Sequence, residues 1–100
     1  MRYSATMKTE KDLQNYLKKE CAKRGVLFYK TEAIGQRGFP DCFLVKKGKT
    51  LLVELKSPAG TGVLSALQIA TINRLVKEGA WVEVISSKEE ADNLIKQLCA

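Results

Sequence analysis

Three groups of residues have the types and spacing that chemistry uses: Gly38-Phe39-Pro40-Asp41, the triplet Glu54-Leu55-Lys56, and Glu10. An E-x-K triplet alone arises by chance roughly 0.4 times per hundred residues, so its weight comes from its surroundings. Leu51, Val53 and Leu55 alternate with Glu54 and Lys56, which puts the apolar side chains on one face of a strand and two opposite charges together on the other. Asp41 opens the preceding strand of the same hairpin, so the two carboxylates can converge, and Pro40 suits a strand's entry. Two carboxylates and a strand carbonyl would form a hard oxygen cage for Mg²⁺, able to activate water and neutralise phosphate charge. Lys56 could orient or deprotonate that water. The competing reading is an ordinary salt bridge across a hairpin.

Glu10 lies one turn before Leu13 and two before Leu17, at the head of a helix's inward stripe, where a charge needs a partner or a metal. The bland alternative is a first-turn glutamate favoured by the helix dipole. Gln68 is equally double: it aligns with Ile72 and Leu75 and could reach the site, yet Ser65-x-x-Gln68 is also a capping box.

The elements that must position these residues follow from periodicity. Leu13, Leu17 and Cys21 recur at helical spacing between Glu10 and Arg24, with Thr9 and Asp12 as a capping box and Gly25 as the stop. Val26 to Lys30 reads as a strand, followed by a polar loop from Thr31 to Phe39. Asp41 to Val45 and Leu51 to Lys56 flank the turn KKGK as a hairpin, with Gly48 free to adopt a positive φ. After the loop SPAGTG, a helix runs from Ser65 to Gly79, then a strand from Trp81 to Ile85. A last helix carries Ala91, Leu94, Ile95 and Leu98 inward, opened by a Ser87/Glu90 box. The order α-β-β-β-α-β-α, a hairpin followed by a β-α-β crossover, predicts an α/β fold: a mixed β-sheet flanked by helices.

The chain has no histidine, which excludes mechanisms needing an imidazole, among them the Ser-His-Asp triad and His-ligated metal nucleases. Any metal is then held chiefly by oxygen, which points to magnesium or manganese. Cys21, Cys42 and Cys99 are odd in number and far apart, so they read as small core residues or surface thiols rather than disulfides or zinc ligands. The formal charge of +6 draws a small domain toward polyanions, nucleic acid first, although charge alone does not make a binding protein. One hundred residues suit a single domain, 1–100. No apolar run is long enough for a membrane span and the N-terminal MRYSATMKTEKD lacks a signal's apolar stretch, so an intracellular location, cytoplasmic, is expected.

With these residues in place, the chain resembles the virus-type replication-repair nuclease (VRR-NUC) family, a branch of the PD-(D/E)xK nuclease superfamily, over nearly its whole length. The family pattern is a glutamate on the first helix, a loop ending in R-G-x-P-D, an E-x-K strand and a glutamine at the start of the next helix. It meets Glu10, Arg37-Gly38-Phe39-Pro40-Asp41, Glu54-Leu55-Lys56 and Gln68. The resemblance implies a restriction-endonuclease-like sheet and Mg²⁺ or Mn²⁺ held by Asp41, Glu54 and the Leu55 carbonyl. It also implies Lys56 as catalytic, Glu10 and Gln68 as supporting, and hydrolysis of a phosphodiester by in-line attack of water, leaving a 5′-phosphate and a 3′-hydroxyl. Its free-standing members are phage and bacterial proteins.

The expected function is a metal-dependent DNA endonuclease, structure-selective on branched DNA such as four-way (Holliday) junctions, with Arg37 and Lys30 contacting DNA. The alternatives are a non-catalytic DNA-binding module of the same fold, whose usual sign is loss of motif residues, and a nuclease of linear or flap DNA. An RNA-binding domain lacks its aromatic platform pattern here. A symmetric homodimer is expected, since one small domain carries one active centre and junction cutting needs two. Val63 and Leu64, or the C-terminal helix, are the candidate contacts.

Overall fold

Thr9 opens the first helix, α1 (Glu10–Arg24): its hydroxyl accepts from the Asp12 N–H while the Asp12 carboxylate accepts from the Thr9 N–H, the reciprocal box that T-x-x-D predicts. Gly25, at φ 69°, ends it in the left-handed conformation that glycine adopts without strain. The computed structural model describes residues 7–60 and 62–100. The start of the N-terminal stretch read for a signal, residues 1–6, and Thr61 of the SPAGTG loop lie outside the described residues.

The chain continues through β1 (Leu27–Lys30), one 3₁₀ turn (Glu32–Ile34), β2 (Cys42–Lys46) and β3 (Lys49–Leu55), then α2 (Ala66–Lys77), β4 (Trp81–Ile85) and α3 (Lys88–Cys99). The hairpin between β2 and β3 turns at Lys47 and Gly48, both with positive φ, the twist that suits a tight antiparallel connection. The four strands form one sheet in the order β1-β2-β3-β4, antiparallel except for the parallel β3/β4 pair that α2 connects. This is the expected mixed α/β sheet flanked by helices. Strand bounds differ by one or two residues from those expected, and Asp41 stands just before β2 rather than within it.

The core lies between one face of the sheet and the pair α1 and α3. Leu13, Leu17 and Cys21 meet Leu44, Leu51, Val53, Leu55 and Ile85 there, and Ala91, Leu94, Ile95 and Leu98 close it from α3. The apolar stripe of the C-terminal helix is therefore consumed by the core, which removes that helix as the source of an apolar partner surface. Its start also differs from the expected box: Ser87 accepts from the Glu90 N–H, but the Glu90 carboxylate reaches back to the Ser86 N–H (2.7 Å), the donor just outside the helix. Its end is closed by the hairpin, where Lys47 donates to the Cys99 carbonyl and Lys49 to those of Gln97 and Ala100, satisfying acceptors that the helix leaves open.

The opposite face is thinly covered. α2 crosses it without a fully buried residue, and its predicted inner positions Gln68, Ile72 and Leu75 are only half-buried. The register aligns Tyr29, Phe43, Leu52 and Val82 in one apolar row across all four strands of this face. Among the described residues, no helix is long and apolar enough to cross a membrane.

Candidate active site

Alternation along β3 sends Glu54 away from the core, yet it is only 1% exposed, because α2 lies over it. A buried carboxylate is costly unless its oxygens are engaged. Oε2 is engaged twice, accepting from Gln68 Nε2 (2.8 Å) and facing Lys56 Nζ at 3.6 Å. Oε1 has no partner, alone among the buried side-chain polar atoms of the described residues. Burial first, and then the charge of Asp41, push the Glu54 carboxyl up to about 7; Lys56 pulls it down and Glu10 adds a smaller upward push.

Gln68 holds both roles left open by the sequence. Its Oε1 accepts from the Ser65 N–H (2.8 Å) while Ser65 Oγ accepts from the Gln68 N–H, and the remaining amide nitrogen reaches Glu54. The helix cap thus fixes the side chain that orients the carboxylate. Lys56 is equally constrained: its N–H donates to the Ile85 carbonyl (2.9 Å), its side chain is 14% exposed, and Gly62 packs along its stem.

Asp41 is anchored from two sides. Its Oδ2 accepts from the Leu55 N–H (2.7 Å), and its carbonyl accepts from the Thr31 N–H (3.0 Å). Thr31, itself buried, also donates its hydroxyl to the carbonyl of the fully buried Pro40. These contacts explain the spacing between Pro40-Asp41 and Glu54-Leu55: the aspartate is tied to the backbone of the residue beside the glutamate. Thr31 and the Leu55 N–H were not singled out in the sequence, because a hydrogen bond between residues distant in the chain leaves no periodic trace.

Glu10 corrects the inward placement expected of it. It is exposed, although its charge is still felt at Glu54. Among the described residues no three Asp, Glu, Cys or His side chains gather as a metal cluster; Asp41 and Glu54 are the side-chain carboxylates that a cation here would have. The unpartnered Oε1, on a carboxylate held by a neutral amide and one lysine, fits a hard divalent cation.

Gly38 shows why the loop before Asp41 needs glycine. Its φ is 81°, and a Cβ there would lie 2.8 Å from Leu67 Cγ and 3.2 Å from the Leu67 carbonyl on α2. Gly38→Ala is therefore expected to destabilise the fold by about 2 kcal/mol, combining left-handed strain with a clash against the Leu67 side chain and a tight contact with its carbonyl. Urea unfolding measures this, and a loss under 0.5 kcal/mol, the usual scatter of surface changes, would show that loop and helix do not press together.

Beside Asp41 lies a cleft of about 330 Å³ between α1, β1 and the following loop, lined by Gln14, Lys30, Arg37 and Phe39 among others. Both cations expected to contact DNA are here. Arg37 is exposed, whereas Lys30 is paired with Glu32 at 3.3 Å.

No family model matches the sequence, and no curated protein does. Among solved structures, a "VRR_NUC domain" matches with TM-score 0.75 and 29% identity, covering 87% of this chain and 94% of that one. Nearly the whole of both chains superimposes, so this chain has the VRR-NUC fold, a nuclease-type fold.

Proposed function

From a chain with the VRR-NUC fold, we propose a metal-dependent DNA endonuclease, residues 1–100 acting as a single nuclease domain that hydrolyses phosphodiester bonds in branched DNA such as four-way junctions. The observation that carries this reading is the buried Glu54 with its unpartnered Oε1, beside Asp41 and Lys56. A buried carboxylate raised toward neutrality by a second carboxylate is costly to maintain for stability alone and is common at reactive centres.

Asp41, Glu54 and the Leu55 carbonyl would hold Mg²⁺ or Mn²⁺. When bound, the cation supplies Lewis acidity toward water and phosphate. Lys56 holds an ammonium against Glu54 Oε2, where it can orient the attacking water or steady charge on the phosphate. Gln68 keeps the Glu54 carboxylate from rotating, and the Leu55 N–H does the same for Asp41. Glu10, at the rim, adds negative charge that favours a cation. Arg37 and Lys30 face the DNA backbone.

The non-catalytic alternative has no lost motif residue to support it. For a homodimer, the supporting feature is the outer side of α2: Ile69 and Val76, two turns apart on one side of the helix, are 45% and 51% exposed, while Leu67 is turned toward the Gly38 loop. Exposed apolar side chains on one side of a helix of a small chain suit a second copy. Val63, 83% exposed, follows Gly62, which packs along Lys56, and precedes α2 in the chain.

The test is incubation of purified protein with labelled linear, flap and four-way-junction DNAs in Mg²⁺, Mn²⁺ or EDTA, with mass by light scattering. Paired nicks on opposing junction strands, dependence on divalent ion and a dimer mass are expected. Full activity in EDTA removes the metal assignment; a monomer that cuts linear duplex as readily as a junction removes the branched-substrate and dimer assignments together.

A further inference from the structure

The cleft beside Asp41 has features that phosphate binding does not call for. Three elements converge on it: Gln14 from α1, Lys30 from β1, and Gln36, Arg37 and Phe39 from the loop that ends at Asp41. Its volume, about 330 Å³, falls in the range of pockets that enclose a small organic group. Its wall carries two positive side chains, Lys30 and Arg37, and two negative ones, Glu32 and Asp41, with Lys30 already engaged by Glu32 at 3.3 Å. With Lys30 held by Glu32 and Asp41 assigned to the cation, Arg37 is the one charge of the lining left over, and it is exposed, so the interior of the cleft gains little from taking in a phosphate. It suits a neutral, flat, hydrogen-bonding group instead.

The cleft also offers the contacts such a group uses. Phe39 is half-buried, and its backbone is fixed between Gly38, pressed onto α2, and the fully buried Pro40, with its N–H donating to the Gln36 carbonyl (3.3 Å). A ring on so constrained a backbone is a ready stacking surface. Gln14 and Gln36 each bring an amide with both donor and acceptor, the complement of a base edge. Aromatic stacking with nearby cations is how proteins hold unstacked nucleotides.

We propose that this cleft is the subsite for one unpaired nucleotide adjacent to the scissile phosphate, its base stacked on Phe39 and its edge met by Gln14 and Gln36, with Arg37 at the rim on the backbone. This rests on the nuclease reading above and gives it a substrate rule. A base inside an uninterrupted duplex is stacked on both faces and paired at its edge, so entering the cleft costs it both; at a branch point the stack is broken, and a nucleotide there is either already unpaired, as in a flap, or unpairs at lower cost, as in a fully paired four-way junction. Branched DNA is selected because its branch-point nucleotide enters the cleft at the least cost.

The test uses the full chain carrying Glu54→Gln and a branched DNA with 2-aminopurine as the unpaired nucleotide at the branch point, while wild-type protein is assayed for cleavage of the same DNA. Binding is expected to quench the 2-aminopurine fluorescence through stacking, and the same probe within an uninterrupted duplex is expected to show no change. Adding Phe39→Leu, which keeps apolar volume but removes the ring, abolishes the quenching. In the otherwise wild-type chain the same change slows branched-DNA cleavage about tenfold, in line with the loss of one base-stacking contact. Quenching that persists in Phe39→Leu, with the fold verified by circular dichroism, overturns the assignment. So does unquenched binding of the branched probe, even if cleavage is normal. Quenching without cleavage by the wild-type chain would leave the nucleotide subsite standing and remove the nuclease reading, so the two fail separately.

Discussion

Asp41→Asn and Glu54→Gln are each expected to slow DNA cleavage by about 10³-fold or more while the chain remains folded and still binds DNA. The magnitude follows from charge: several kcal/mol of transition-state stabilisation by a bound cation disappear when either carboxylate no longer holds it, and each 1.4 kcal/mol is about tenfold in rate. The fold survives because neither side chain packs the core. Asp41 keeps a side-chain oxygen for the Leu55 N–H as asparagine, and Glu54 stands on the face opposite Leu51, Val53 and Leu55. Binding survives because the remaining basic side chains of a chain with formal charge +6 supply most of the attraction to phosphates. Lys56→Ala is expected to join them in the loss of rate. It leaves Glu54 facing only the Gln68 amide, which raises that carboxyl further. Single-turnover cleavage with binding measured in parallel separates these effects. Near-normal cleavage by Asp41→Asn or Glu54→Gln would sink the assignment of these carboxylates to the cation.

What the sequence makes legible is what repeats locally. The alternation of Leu51, Val53 and Leu55 with Glu54 and Lys56 places the charges on one face of β3, and the structure adds only that α2 covers them. Capping patterns act within one turn, so Thr9/Asp12 and Ser65/Gln68 are read directly. The apolar stripes of α2 and α3 look alike as sequence, yet α3 is sealed into the core and α2 is left half-exposed. That difference is set by which sheet face each helix meets, and no local pattern encodes it. The exposure of Glu10 is likewise not local, since helical phase predicts the side a residue faces but not whether anything packs against it there. The anchoring of Asp41 by Thr31 and Leu55, and the Lys30 to Glu32 pairing that neutralises part of the cleft, depend on loop geometry between non-periodic residues.

The stability of the metal-free protein is expected to fall as pH rises from about 4.5 to about 7, and divalent cation is expected to restore it above that window. Glu54 has an ordinary carboxylate value of 4.5 when unfolded and is raised to about 7 in the folded chain, chiefly by burial and by the charge of Asp41. The folded state therefore holds this proton more tightly than the unfolded state. Its contribution is fully present below 4.5, declines as the pH rises, and is gone above 7, where the folded protein must carry a buried charge. Asp12, held below its usual range by the Lys8 and Thr9 N–H groups, acts in the opposite sense but below this window. Cys21 and Cys42, pushed up to about 12 by burial, titrate well above it. The loss attributable to Glu54 is about 2 kcal/mol, or roughly 10 °C in Tm for a domain of this size. Thermal melts in EDTA at pH 5 and pH 8 measure it, and Glu54→Gln is expected to flatten the difference. Adding Mg²⁺ or Mn²⁺ should raise Tm more at pH 8 than at pH 5, because at the lower pH the cation must displace a proton from Glu54. Both Asp41→Asn and Glu54→Gln should lose that gain. A wild-type Tm that is equal at the two pH values in EDTA, or a cation-induced gain that persists in Glu54→Gln, would show that the buried carboxylate is not the group that cation and proton compete for.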